Sequence, residues 1–226
     1  MNILFLGTGA ADWPLKRPDS YQEFRRQSSA IIDKCLLIDP GPQVLEALDE
    51  QGIALESVKY VICTHKHRDH FNEKTLASLA EAGARCVDFS NNSVQVLGKY
   101  TVYAYPGNHG TSKGTLHYMI TDGDRAVFYG LDGAWLMYEE VQGIKEHCPH
   151  LAVLDATLGY VDGDTRVFEH NDLNMVLVMK NALSPYVGAF CISHMARTLH
   201  KSHSELCSDM EKHGIITAFD GMNIEI

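Results

Sequence analysis

A run of seven residues, Thr64-His65-Lys66-His67-Arg68-Asp69-His70, sets the tightest constraint on this chain. It follows an apolar stretch, 60–63, that reads as a buried strand. The H-x-H-x-D-H pattern therefore lies on a loop leaving a strand, where several side chains can converge on one point. Four ligand-type side chains within six residues exceed what one tetrahedral ion takes from a single loop, since a catalytic zinc keeps about three protein ligands and one open position. A second ion is implied. The competing reading, a solvated polar turn, gives no reason for the strand-end placement.

Further donors follow later apolar runs. They are His109 in Tyr105-Pro106-Gly107-Asn108-His109-Gly110, Asp132 in Phe128-Tyr129-Gly130-Leu131-Asp132-Gly133, and His194 in Phe190-Cys191-Ile192-Ser193-His194-Met195. Taken singly, each could be a satisfied structural residue. An all-His/Asp set is borderline to hard and suits Zn²⁺, Mn²⁺ or Fe²⁺ better than a thiolate site would. Two divalent ions are the expected cofactors, and ions about 3.5 to 4 Å apart can share a hydroxide that is nucleophilic at neutral pH.

The chain around these donors reads as alternating strands and helices. Apolar, β-branched segments predict strands over 3–6, 30–32, 36–38, 60–63, 100–105, 116–120, 126–129, 151–154 and 186–192. Helical spacing appears over 43–50, 73–82, 134–146, 171–181 and 204–212, the last stopping before Gly214. With 226 residues, 45% hydrophobic and no linker, the chain is expected to form one domain, 1–226, of sheets covered by helices. Residues 9–27 carry the densest turn chemistry and read as a long surface loop.

Charge narrows the function classes. A net charge of -10 argues against a broad basic face for nucleic acid or acidic membrane. The expected partner is a small-molecule substrate, with no membrane and no extended nucleic-acid binding; a homo-oligomer stays open. No secretory leader pattern or long apolar run is seen, so a cytoplasmic location is expected. Six cysteines stand singly with no C-x-x-C pair and read as mostly buried thiols.

Together the motif, the opening Leu6-Gly7-Thr8-Gly9-Ala10-Ala11, the segment Leu36-Leu37-Ile38-Asp39-Pro40-Gly41 and the closing Phe219-Asp220-Gly221 resemble the metallo-β-lactamase superfamily over nearly the whole length. The resemblance implies an α/β fold, the four-layer αββα sandwich, with a dinuclear site at the sheet edge. Carried over by position, it makes His65, His67 and His109 the ligands of one metal and Asp69, His70 and His194 those of the other, with Asp132 bridging.

Within that superfamily the substrate class differs between branches. No Cys occupies the Asp132 position, unlike the second metal site of better-known β-lactamases, and flavodiiron proteins carry an acidic residue where His67 stands. The sequence more closely resembles the phosphodiesterase branch, which holds transfer-RNA 3′-processing nucleases and the phosphoribosyl cyclic phosphodiesterase. It lacks the basic arm of the former and the clustered structural-zinc cysteines of the latter. In the latter, a loop histidine between the bridging Asp and the last ligand acts near the leaving oxygen, and His170 in Phe168-Glu169-His170-Asn171-Asp172-Leu173 falls in that interval. His170, as general acid, and Asp69 are the catalytic candidates; His170 could instead cap the helix beginning near Asn171.

The expected activity is hydrolysis of a small or nucleotide-like phosphodiester, cyclic ones included. Its rivals are a thioester or lactone hydrolase using the same site and a non-catalytic metal-binding protein. Asp12, Lys16, Arg17, Arg25 and Arg26 lie in or beside the first loop, where an Arg fork could meet a phosphate or simply face solvent. Asp39 and Asp155 end apolar runs and read first as turn-stabilising residues, second as acceptors that orient histidines. His200 and His203 read mainly as helix-surface residues, and His117, His147, His150 and His213 as structural or surface.

Overall fold

The computed structural model describes all 226 residues. The chain divides into two compact units, Met1–Asp88 with Ala218–Glu225, and Phe89–Thr217 with Ile226. No helix is long and apolar enough to cross a membrane.

The first unit holds a six-stranded sheet. Its strands are β1 (Asn2–Gly7), β2 (Ser29–Ile32), β3 (Leu36–Ile38), β4 (Tyr60–Ile62), β5 (Arg85–Cys86) and β13 (Asn223–Glu225), in the order β13-β1-β2-β3-β4-β5. β13, β1, β2 and β3 pair antiparallel, whereas β3, β4 and β5 run parallel. Parallel pairs need a crossover, and α1 (Val44–Glu50) and α2 (Glu73–Glu81) supply two. Strands β2 and β3 are buried at every position, which is why they read as unbroken apolar runs. The core gathers Leu6, Ile31, Leu37, Leu48, Val61 and Leu79.

The second unit holds a seven-stranded sheet of β6 (Ser93–Leu97), β7 (Tyr100–Pro106), β8 (Leu116–Thr121), β9 (Ala126–Gly130), β10 (Leu151–Asp155), β11 (Ala189–Ser193) and β12 (Ile215–Thr217), in the order β12-β11-β10-β9-β8-β7-β6. β6 to β9 form an antiparallel meander. β9 to β12 are parallel, linked through α3 (Tyr138–His147), α4 (Leu173–Leu183) and α5 (His203–Glu211). Phe128, Leu154, Val176, Ile192 and Met210 belong to its core. Within each unit the parallel strands end on one side of their own sheet, so the loops after β3 and β4 are neighbours in the first unit, and those after β9, β10 and β11 in the second.

The structure departs from the sequence expectations at definite places. The helix expected from residue 134 starts only at Tyr138, because Trp135 sits at φ 55°, a left-handed conformation that no helix tolerates. The strand expected from 186 starts at Ala189, since Tyr186 and Val187 still donate backbone bonds to Leu183 at the end of α4. The first loop has tied ends, with Gly9 N donating to Arg26 O at 2.8 Å and Ser28 N to Gly9 O at 2.9 Å. Only Cys191 among the six cysteines is buried; Cys86 and Cys148 are exposed and none of the six forms a disulfide. The expectation of mostly buried thiols is therefore corrected.

Candidate metal centre

In the first unit the donors stand on the loop leaving β4, beside the end of β3. Asp39, fully buried just past β3, accepts from the Thr64 backbone N–H at 2.7 Å and the Thr64 hydroxyl at 2.9 Å through one oxygen. Its other oxygen takes the Nδ1–H of His70 at 2.8 Å. Because Thr64 gives its only hydroxyl proton to the carboxylate, the 3.0 Å contact between Thr64 Oγ1 and His65 Nδ1 runs from the imidazole to the oxygen. One Asp–Thr pair thus fixes two histidines as Nδ1–H tautomers and leaves each Nε2 with its lone pair.

The same loop packs its donors tightly. The His65 ring lies 4.5 Å from both His67 and His70. His70 Nε2 and Asp69 Oδ2 are 3.3 Å apart, two lone-pair atoms brought together in a buried place. A cation relieves such a contact, so this donor set fits a divalent ion. The loop closes because His67 O accepts from His70 N and Phe71 N, and because Asn72 caps α2 through Lys74 N and Thr75 N. Gly41 permits the closure: a Cβ there would stand 2.5 Å from Asp69 O.

The second unit repeats the device. Asp155, fully buried at the end of β10, accepts through Oδ1 from Thr157 N and Asn171 N, both at 3.0 Å. Its Oδ2 accepts from Asp132 N at 3.1 Å and from the Thr157 hydroxyl at 2.8 Å. Thr157 Oγ1 then receives His194 Nδ1–H at 2.7 Å and His170 Nδ1–H at 3.1 Å. Asp132 Oδ1 lies 3.3 Å from His170 Nδ1 and 3.4 Å from His194 Nδ1.

Two buried carboxylates facing two imidazoles favour positive charge. Burial alone would raise the Asp155 pKa, but the hydrogen bonds and charges of His170 and His194 hold it well below the usual carboxylate range. For His170, burial lowers the pKa, yet the bond to Asp155 and the charges of Asp155 and Asp132 outweigh it and the net shift is upward. Asp132, Asp155, His170 and His194 form a group able to hold a metal ion, as do His109, Glu169 and His170. His109 gives Nδ1–H to Glu169 O at 3.2 Å, the same tautomer again.

The sequence-predicted residues thus fall into two sets. His65, His67, Asp69 and His70 come together in the first unit, and His109, Asp132, His170 and His194 in the second. His170 does not cap α4; Asp172 does, accepting from Met175 N at 2.7 Å. Asp39 and Asp155 orient histidines and do not merely brace turns. Thr64, Thr157, Asn171 and Glu169 were missed as supporting groups; only Thr157, two residues after Asp155, had its Asp partner nearby in the sequence, whereas Thr64 meets Asp39 across 25 positions. Arg25 is buried on Thr8 Oγ1 and Ala218 O and Arg26 pairs with Glu50, so neither extends a fork into solvent. His200 Nε2 braces the Ala156 carbonyl at 2.8 Å, below Thr157.

A family model described as "Anti-Pycsar protein Apyc1" matches residues 1–81. Among solved structures, a protein described as a new diphosphatase from the PhnP family is 19% identical with TM-score 0.75, covering 100% of this chain and 97% of that one. The metallo-β-lactamase fold protein YhfI from Bacillus subtilis is 16% identical with TM-score 0.76, covering 100% and 99%. The chain has the metallo-β-lactamase fold. The expected class, an αββα sandwich of two mixed sheets flanked by helices, is the one found, and human tRNase Z, short form, shares it at 15% identity and TM-score 0.70 over 100% and 99%. The resemblance to this superfamily and its phosphodiesterase branch holds at the level of fold. No curated protein matches the sequence.

Proposed function

We propose that this protein is a dinuclear metal-dependent phosphodiesterase of the cytoplasm, acting on a small or nucleotide-like phosphodiester, a class that includes cyclic ones. One observation carries the reading: in each unit a buried Asp–Thr pair fixes neighbouring histidines as Nδ1–H tautomers, the form that offers Nε2 to a metal. In this reading His65, His67 and His109 hold one ion, Asp69, His70 and His194 the other, and Asp132 serves both. Divalent ions, when bound, lower the pKa of water and stabilise charge on the attacking and leaving oxygens of a displacement at phosphorus.

The chain's own groups supply the rest. Thr157 and Asp155 hold His170 in place, and the bond to Asp155 with the charges of Asp155 and Asp132 favours its protonated form, the form that gives a proton to a departing alkoxide. Such a group contributes about 10² to 10⁴ in rate. Phosphate-ester chemistry is favoured over acyl chemistry because two proteins of this fold are named as a diphosphatase and a tRNase. The net charge of -10 favours a small substrate over a long nucleic acid.

The test is hydrolysis of an aryl phosphodiester and an acyl thioester by metal-reconstituted protein, with metal content measured on parent, Asp132→Ala and His170→Gln. The expected result is about two metals in the parent, diester turnover abolished by Asp132→Ala, and a drop of about 10²-fold or more with His170→Gln. Two metals with turnover of the thioester alone would transfer the assignment to acyl substrates.

A further inference from the structure

His117 lies outside the donor sets, on β8, yet it touches the loops that carry two of the donors. It is 1% exposed, and both ring nitrogens are engaged: Nδ1 with Glu140 Oε1, Nε2 with the Leu131 carbonyl at 2.9 Å. Leu131 O can only accept, so Nε2 carries a proton, and a second proton lies on the line to Glu140. The pair is net neutral whichever partner holds that proton, which makes its complete burial tolerable. Glu140 is itself fixed at the head of α3, where its Oε2 accepts from Met137 N at 2.6 Å.

Glycines surround the imidazole. A Cβ at Gly107 would stand 2.8 Å from Nε2, one at Gly133 2.7 Å from Cε1, and one at Gly130 3.2 Å from Nδ1. Gly107 is two residues before His109, and Gly130 and Gly133 flank Asp132. The two loops are also bonded to each other, Ala134 N to Asn108 O at 2.9 Å and Asn108 Nδ2 to Ala134 O at 2.6 Å. The imidazole is therefore the common wall against which both donor loops are pressed.

We propose that His117, locked by Glu140, is the positioning residue that holds the Asp132 and His109 loops in metal-binding geometry. This rests on the metal-dependent reading above. The lock passes from the first turn of α3 through the imidazole to the peptide carbonyl immediately before Asp132. A hydrophobic side chain of similar size would fill the space but leave Leu131 O without its donor. Outer groups of this kind alter metal affinity by about 10- to 100-fold.

The experiment is zinc titration against a chromophoric chelator on the full-length parent, His117→Gln and Glu140→Gln, with circular dichroism to establish folding. The visible spectrum of each protein loaded with Co²⁺ is recorded alongside. Folded variants that bind zinc at least about tenfold more weakly and show a shifted Co²⁺ spectrum are expected. Folded variants with the parent's zinc affinity and spectrum would overturn the proposal and leave the pair a core element. If His117→Gln does not fold, Glu140→Gln decides by the same criterion; failure of both to fold would also reduce the pair to a core role. A parent that binds no metal would sink the metal-dependent reading itself, an outcome distinct from metal bound alike by all three proteins.

Discussion

Replacing Thr157 by Val removes a single hydroxyl and keeps the side chain's shape, so it isolates what that oxygen does. Three contacts are lost: 2.8 Å to Asp155, 2.7 Å to His194 and 3.1 Å to His170. Asp155 keeps its bonds from the backbones of Asp132, Thr157 and Asn171, so the carboxylate remains satisfied. The imidazoles fare worse, because the nearest remaining acceptor for each Nδ1–H is long, at 3.3 to 3.4 Å. With His194 2% and Asp155 0% exposed, water does not replace the hydroxyl freely. Leaving buried N–H groups poorly bonded costs about 1–3 kcal/mol, so the metal-free protein should lose about 2 kcal/mol in urea unfolding. Freed from one tautomer, His194 should also bind metal about 10- to 100-fold more weakly, read by chelator competition. Thr157→Ser is the control: it keeps the oxygen, sheds a methyl worth about 0.8 kcal/mol, and should bind metal like the parent. Equal zinc affinity for the Val and Ser proteins would refute the argument that the hydroxyl sets the tautomer.

Two further outcomes follow from the same structure. The charge and hydrogen bonds of Glu140 raise the His117 pKa against a burial that lowers it. A raised folded-state pKa gives stability that is fully present below the unfolded value of about 6.5 and is lost as pH climbs through the folded value. The urea-stability gap between metal-free parent and His117→Gln should therefore be wide at about pH 6 and narrower at alkaline pH; a gap that widens with pH would contradict it. Gly41→Ala should cost about 1–3 kcal/mol, since the added Cβ would meet Asp69 O at 2.5 Å and push the Asp69-His70 turn outward. Calorimetry and metal content should fall together, and an unchanged melting temperature would show that the turn relaxes without strain.

What could be read from the sequence depended on whether the signal was local. The fully buried strands β2, β9 and β10 stand out as apolar runs because both faces need hydrophobic residues. Ser93–Leu97 escaped notice because it is an edge strand whose Val94 and Val96 face solvent, so apolar character there does not mark a core. The metal donors were legible because ions accept few residue types at strand ends. Their supports were legible only in part: Asp39 and Asp155 could be read as acceptors for histidines, but the partners could not, since Thr157 is joined to His194 across 37 positions, Asp39 to His70 across 31, and His117 to Glu140 across 23. A hydroxyl or amide that orients a histidine is recognised by its partner, and only folding brings the partner near.

Backbone strain falls on three of the residues that build the donor sets, though Asp33, Lys34, Asn92, Trp135 and Cys148 share the left-handed conformation elsewhere. Asp39, Asp132 and His194 adopt φ values of 62°, 56° and 64°, and each lies one or two residues beyond the carboxyl end of a strand. Glycine takes this conformation at no steric cost, while an L-residue costs about 1 kcal/mol or more. Asp and His are among the side chains that tolerate it best, so the penalty is moderate but present three times. None of the three is an idle turn residue: Asp39 holds His70 and Thr64, Asp132 faces His170 and His194, and His194 meets Thr157. Glycine at these places would ease the backbone and delete the side-chain atoms that make these contacts. The left-handed conformation thus falls on two of the donors, Asp132 and His194, and on Asp39, which orients a third, and at these places the strain is kept together with the side chain's contacts.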